Sequence, residues 1–235
     1  SSETLFNSGL ELAALGAQAP SPETLLADGK KSKIVPLLLQ SMRDNSELYS
    51  LYYGFQNGEF YQIIATRASA TINNHLKAPD GTYWAFRSII KAPDSGSEFL
   101  ETWRFLTKNL KIIEVSKNTS PAYDPRERIW FKKAMEYGDT VLSEPYIYDS
   151  LQEIGITASR RTRHDNIIFG VDLTVSELQF EISKSELSPN GGIVIFDNNN
   201  QILAMSSNLG QHAPLTKLND VTTPLFQTLS NGLTE

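Results

Sequence analysis

The chain contains no cysteine, only three histidines and no long apolar run among its 235 residues. Without cysteine there is no disulfide, no thiolate zinc site and no cysteine nucleophile. The histidines, His75, His164 and His212, stand far apart in polar contexts without the spacing of metal ligands, and read as surface residues. No apolar run approaches the roughly 18 residues needed to span a bilayer. The chain opens at Ser1 with no leader pattern, which predicts an excised part of a longer protein whose flanking membrane helices lie outside it. The Gly-x-Ser-x-Gly elbow, the phosphate-cradling loop and the dinucleotide fingerprint are missing too. Gly191-Gly192 precedes a strand-like run and reads as a turn, and neither Glu101 nor Asp94 has a partner spaced for acid–base work. These absences argue against an enzyme and imply no cofactor and no metal.

The composition that remains is that of a folded domain, 40% hydrophobic and 20% charged. A formal net charge of −6 repels nucleic acid and anionic lipid. The basic cluster Arg160, Arg161, Arg163 and His164 is a local exception; lying between two apolar runs, it reads as a solvated loop.

Helical spacing of apolar positions covers Glu3 to Leu15 and Pro22 to Arg43, separated by Gly16 to Pro20. Ser21-Pro22 restarts the helix, with serine as cap and proline at the first position, and Pro36 predicts a further kink or break. Beyond Asn45 the texture becomes aromatic and β-branched. Leu48 to Phe55 and Glu59 to Thr66 flank Gln56-Asn57-Gly58, a hairpin pattern. Further strands are expected over Thr82 to Ile90, Glu101 to Leu106 and Ile112 to Val115, with a helix over Ile129 to Tyr137. Ile154 to Ser159 and Asn166 to Leu173 read as paired strands, followed by a helix over Val175 to Lys184. Gly192 to Asp197 and Gln201 to Met205 form a second hairpin around Asn198 to Asn200, and Val221 to Leu229 leads out. The class is α+β with antiparallel sheets.

The chemistry concentrates at Tyr123-Asp124-Pro125-Arg126-Glu127-Arg128-Ile129-Trp130-Phe131. Asp-Pro starts a turn, because proline fixes its own backbone and keeps the preceding residue out of the helical region. A guanidinium offers a planar fork of donors that fits a carboxylate, and aromatic rings can wall a small pocket. The residues fit a binding site for a small anionic or zwitterionic molecule. They fit equally an arrangement in which Trp130 and Phe131 are plain core and Arg128 forms an internal ion pair.

Further motifs follow in order: Pro145-Tyr146, Gly155-Ile156-Thr157-Ala158, Gly170-Val171-Asp172-Leu173, Leu187 to Gly192 and Ile195-Phe196-Asp197. Together they resemble the double-Cache family, the extracytoplasmic input domains of bacterial chemoreceptors, histidine kinases and nucleotide cyclases. The resemblance spans most of the chain. It implies a long N-terminal helix bracing two PAS-like antiparallel-sheet modules, with residues 1–45 as the helical segment. Residues 46–180 would form the membrane-distal ligand-binding module, and 181–235 the smaller membrane-proximal one.

By motif, the resemblance places the ligand carboxylate on Tyr123, Arg128 and Trp130, and the ammonium on Tyr146 and Asp172. Two departures stand out. Phe131 replaces a tyrosine usual in amino-acid binders, and Tyr148 replaces a common acidic group, which weakens the ammonium end. The function implied is a periplasmic small-molecule sensor binding an amino acid or organic acid, within a membrane receptor that dimerises. Ligand would close the loop of Tyr123 to Tyr146. The alternative is a structural, dimerisation or partner-binding module whose pocket its own side chains fill.

Overall fold

Apolar residues recur along one side of α1 (Ser2–Gly16) and α2 (Ile34–Asp44). In α2 the buried positions are Val35, Leu38, Leu39 and Met42, the spacing of a helix that lays one stripe on a core. Pro36 falls in the first turn of α2, where a backbone N–H has no intrahelical acceptor, so the helix runs on without a kink. The computed structural model describes residues 2–18, 34–92, 98–119, 121–148, 151, 153–163, 167–175, 182, 192–206, 209–210, 212–213 and 215–221. The expected restart at Ser21, most of the helix expected over Val175 to Lys184, and the exit beyond Val221 lie outside those residues.

Two compact units divide the chain, Ser1–Glu144 with Thr157–Leu173, and Pro145–Ile156 with Thr174–Glu235. The first is built on a sheet ordered β5-β4-β3-β2-β1-β9-β8-β6. Its strands are β1 (Leu48–Gly54), β2 (Phe60–Ala65), β3 (Trp84–Lys91), β4 (Phe99–Leu106), β5 (Ile112–Asn118), β6 (Val141–Leu142), β8 (Ile154–Arg161) and β9 (Ile168–Thr174). β1 and β2 pair antiparallel as the sequence suggests, and the turn between them holds Gly58 at φ +92°, which only glycine adopts freely. A short helix, α3 (Ala70–Leu76), follows β2, capped by Ser69.

Alternation sorts the strand residues onto two faces. Leu51, Tyr53, Ile63, Ala65, Trp84, Phe86, Phe169 and Val171 join Ala13, Leu38, Leu39 and Met42 in one core. Each such side chain taken out of water contributes about 1.5–3 kcal/mol. The buried Tyr53 hydroxyl donates to the Gly16 carbonyl at 2.9 Å, tying the end of α1 to β1. Arg67, at the end of β2, donates to the carbonyls of Met42, Asn45 and Leu48 at 2.8, 3.0 and 2.9 Å, so a cation closes the C-terminus of α2. The opposite sheet face carries Ser50, Tyr52, Phe60, Gln62, Arg87, Trp103 and Asp172. β1 and β9 are nonetheless buried throughout, because a loop and the helix α4 (Ile129–Glu136) cover that face.

The basic cluster departs from the expected loop in part. Arg160 and Arg161 end β8, and Arg160 pairs with Asp139 at 2.9 Å, whereas Arg163 is an exposed bend residue and His164 lies outside the described residues.

In the second unit β7 (Tyr146–Ile147) pairs with the start of β8 through Tyr146↔Gly155 and Ile147↔Ile154. The expected hairpin of β10 (Val194–Phe196) and β11 (Ile202–Met205) is antiparallel. Its turn is held by Asp197, whose carboxylate accepts from the Asn199 and Gln201 amides. Ile202, Met205, Leu218 and Val221 form a small core of their own.

Candidate functional site

The Asp-Pro-Arg turn is locked by its own side chains. Asp124 accepts from the Arg126 amide at 2.9 Å and from the Arg126 guanidinium at 2.6–3.1 Å. These bonds hold the Asp124 carboxyl below the usual range. Pro125–Glu127 forms one 3-10 turn, and α4 begins beyond Arg128. Arg128 occupies the position before that helix but makes no capping bond with its side chain. Its guanidinium, half-buried, lies 5.5 Å over the Tyr123 ring. Among the described residues no carboxylate reaches it, so the internal ion pair that the sequence allowed is not formed there.

The two aromatics behave differently. Trp130 and Phe131 are core residues, 1% and 5% exposed. Trp130 packs tilted against Tyr52, ring centroids 4.7 Å apart, and fills the space over Gly54, while its indole N–H donates to the Tyr123 hydroxyl. Phe131 packs edge-on against Trp130 at 5.6 Å and supports the wall rather than the charged groups. Tyr123 is sandwiched further: its ring lies 4.8 Å from Phe60 and 4.6 Å from the Arg87 guanidinium. Burial pushes its phenol up, while Arg87 and Arg128 oppose the shift.

Asp172 sits in a cradle of hydroxyls. Ser50 donates to Oδ2 at 2.7 Å, and Tyr52 and Thr157 donate to Oδ1 at 2.6 and 2.7 Å. Burial pushes this carboxyl up to about 6, and the three hydroxyls and Arg128 limit the rise. Tyr123, Arg128, Trp130 and Asp172 are therefore one cluster within the first unit. Tyr146 and Tyr148 belong to the second unit, their rings 5.1 Å apart. Tyr148 is buried, and its hydroxyl donates to the Ile156 carbonyl at 2.8 Å.

Several site residues escaped the sequence reading. Ser50 and Tyr52 alternate with apolar positions on β1, and Thr157 lies inside the Gly-Ile-Thr-Ala motif. On the next strands Gln62, Arg87 and Trp103 are direct cross-strand partners in one row. Arg87 binds the buried Glu101 at 2.6 Å and stacks over Trp103 at 5.0 Å. Glu101 also accepts from Asn118, so it is consumed by structure. Among the described residues no cluster of His, Asp and Glu could hold a metal.

No family model matches the chain. It is 28% identical over 109 residues to the methyl-accepting chemotaxis protein PctB of Pseudomonas aeruginosa, covering 46% of the chain and 16% of that protein. It is 24% identical over 197 residues to adenylate cyclase 1 of Rhizobium meliloti, covering 79% of the chain and 29% of that protein. The chain thus spans less than a third of the curated relatives it matches. Among solved structures, the ligand-binding domain of the Pseudomonas fluorescens chemoreceptor CtaA with L-serine superposes with a TM-score of 0.50 at 18% identity. The match covers 92% of this chain and 70% of that one, and shows a shared fold.

Proposed function

We propose that the chain, a Cache-type sensor domain by its fold and its motifs, is the extracytoplasmic input domain of a bacterial transmembrane signalling protein that binds a small carboxylate. The observation that carries this reading is the half-buried Arg128, a cation with no carboxylate partner among the described residues, within electrostatic reach of Tyr123 and Asp172. Arg126, two residues earlier, is fully engaged by Asp124. The turn therefore immobilises one arginine and leaves the next for a ligand. A charge-assisted hydrogen bond contributes about 1.5–3 kcal/mol, and a micromolar ligand needs about 8 kcal/mol. Three or four such contacts, two of them from the guanidinium fork, plus apolar burial against the rings reach that value.

PctB is a chemotaxis protein and the CtaA domain holds L-serine, which supports an amino acid or an organic acid here. Tyr148 spends its hydroxyl on Ile156, so the position that is acidic in amino-acid binders supplies no charge. The braced double module, the periplasmic location, the flanking membrane helices and the dimer are part of the same proposal. Among the described residues no helix is long and apolar enough to cross a membrane.

The test is a thermal-shift panel of amino acids, organic acids, amines and purines, run on wild type and on Arg128→Ala. Carboxylates should raise the wild-type Tm and lose that effect in the variant. A second reading is a structural or partner-binding module, favoured by the packing of Tyr52, Phe60, Tyr123 and Trp130 on one another. A panel in which no compound moves the Tm supports that reading.

A further inference from the structure

Gln62 lies on β2, 6% exposed, on the same sheet face as Asp172, with Tyr52 and Arg87 as its direct cross-strand neighbours. Tyr52 reaches Asp172 and Trp130; Arg87 reaches the Tyr123 ring, over which Arg128 also lies. The amide of Gln62 is oriented by its partners. Its Nε2 donates to Ser50 Oγ at 3.1 Å, and Ser50 spends its only proton on Asp172. Turning the amide over would set two acceptors against each other, so the nitrogen must face Ser50. That leaves Gln62 Oε1 buried, with no donor among the described residues.

The neighbouring acceptors are occupied. Asp172 takes three hydroxyls, and Glu101 takes Arg87 and Asn118. A buried carbonyl without a donor is costly, and the cost disappears when a ligand supplies an N–H or O–H. We propose that Gln62 Oε1 is a specificity-determining acceptor, reading a hydroxyl or amino donor on the same small molecule whose carboxylate Arg128 holds. This inference rests on the carboxylate reading above. The ligand class it names is a short carboxylate with a hydrogen-bond donor near the acid group. An amide oxygen is neutral, so it accepts from a hydroxyl as well as from an ammonium. A site built to hydrogen-bond a donor strongly rejects the analogue that lacks it.

Calorimetry with four probes of similar size separates the outcomes. L-Lactate and L-alanine carry a donor beside the carboxylate, pyruvate carries an acceptor there, and propionate carries neither. In wild type, L-lactate or L-alanine should bind at least about tenfold more tightly than pyruvate and propionate. Gln62→Leu should shrink that ratio to within about threefold, and Arg128→Ala should weaken all binding. The wild-type ratio needs no variant, and Gln62→Met repeats the test should Gln62→Leu fail to fold. Equal binding of all four to wild type, lost in Arg128→Ala, overturns the role of Gln62 and leaves the carboxylate reading standing. A donor preference that survives in folded Gln62→Leu also overturns it. Failure of all four probes at millimolar concentration overturns both.

Discussion

The Tyr52 hydroxyl donates to Asp172 at 2.6 Å, joining two strands whose residues lie 120 positions apart. With Ser50 and Thr157 it makes a buried carboxylate whose partners are all neutral hydroxyls. Such a group keeps its proton more readily than a surface aspartate, because hydroxyls compensate less for lost water than a cation does. The positive charge of Arg128 opposes this, favouring the ionised carboxylate.

Stability should therefore carry an inverted pH signature. The Asp172 carboxyl rises from 3.8 to about 6 on folding, so between those values the folded state binds the extra proton. Its contribution is fully present below about pH 3.8 and is lost as the pH rises through about 6. The shift corresponds to about 3 kcal/mol. Urea unfolding across this window should show wild type losing stability relative to Asp172→Asn by that order. A difference of the opposite sign, or none, would exclude a raised carboxyl.

Close approach to the cradle gives a second expectation. A Cβ on Gly170 would stand 2.1 Å from the Tyr52 ring, and one on Gly54 would stand 2.6 Å from the Trp130 ring. Both rings are packed and cannot swing aside as a flexible chain would. Gly170→Ala and Gly54→Ala should each cost about 1–3 kcal/mol by chemical denaturation. Each should also weaken whatever ligand the site holds.

Much of the fold is legible locally. Asn57-Gly58 and the alternating runs around it mark the first hairpin, and the apolar stripe from Val35 to Met42 marks α2. α3 was not legible: Ala70–Leu76 buries only Asn73 and shows no stripe. The passage of Pro145–Ile156 into the second unit also leaves no local mark, since it depends on where the chain returns. At the site, Arg128 and Asp172 could be found through their motifs. Ser50, Gln62 and Arg87 could not, because they meet their partners through strand register. Ser50 and Asp172 are 122 positions apart, and no spacing rule joins them.

Arg67 supports the site only through the fold. Its guanidinium donates to three carbonyls at the end of α2 and the entry to β1, the strand that bears Ser50 and Tyr52. Arg67→Met keeps much of the apolar stem and leaves those carbonyls without the cation. The loss should be roughly 2–3 kcal/mol by urea unfolding, with ligand affinity of the folded protein unchanged. A variant as stable as wild type would show that water replaces the cation at no cost.

Arg126 and Arg128 should separate cleanly, although both come from one motif. The Arg126–Asp124 pair is bidentate but exposed, with side chains 44% and 35% accessible, so Arg126→Ala should cost no more than about 1 kcal/mol. It should leave the protonation of Asp172 unchanged, since the Arg126 charge is exposed to solvent and neutralised by Asp124. Arg128 does act on it, holding it down, so Arg128→Ala should raise the Asp172 carboxyl above about 6. The pH at which stability is lost should then move upward in Arg128→Ala and stay put in Arg126→Ala. Carbon-13 NMR of the aspartate carboxyl in both variants reads that midpoint directly. A midpoint that moves equally in both, or in neither, would mean that the Arg128 charge does not reach Asp172 and that the two do not share one site.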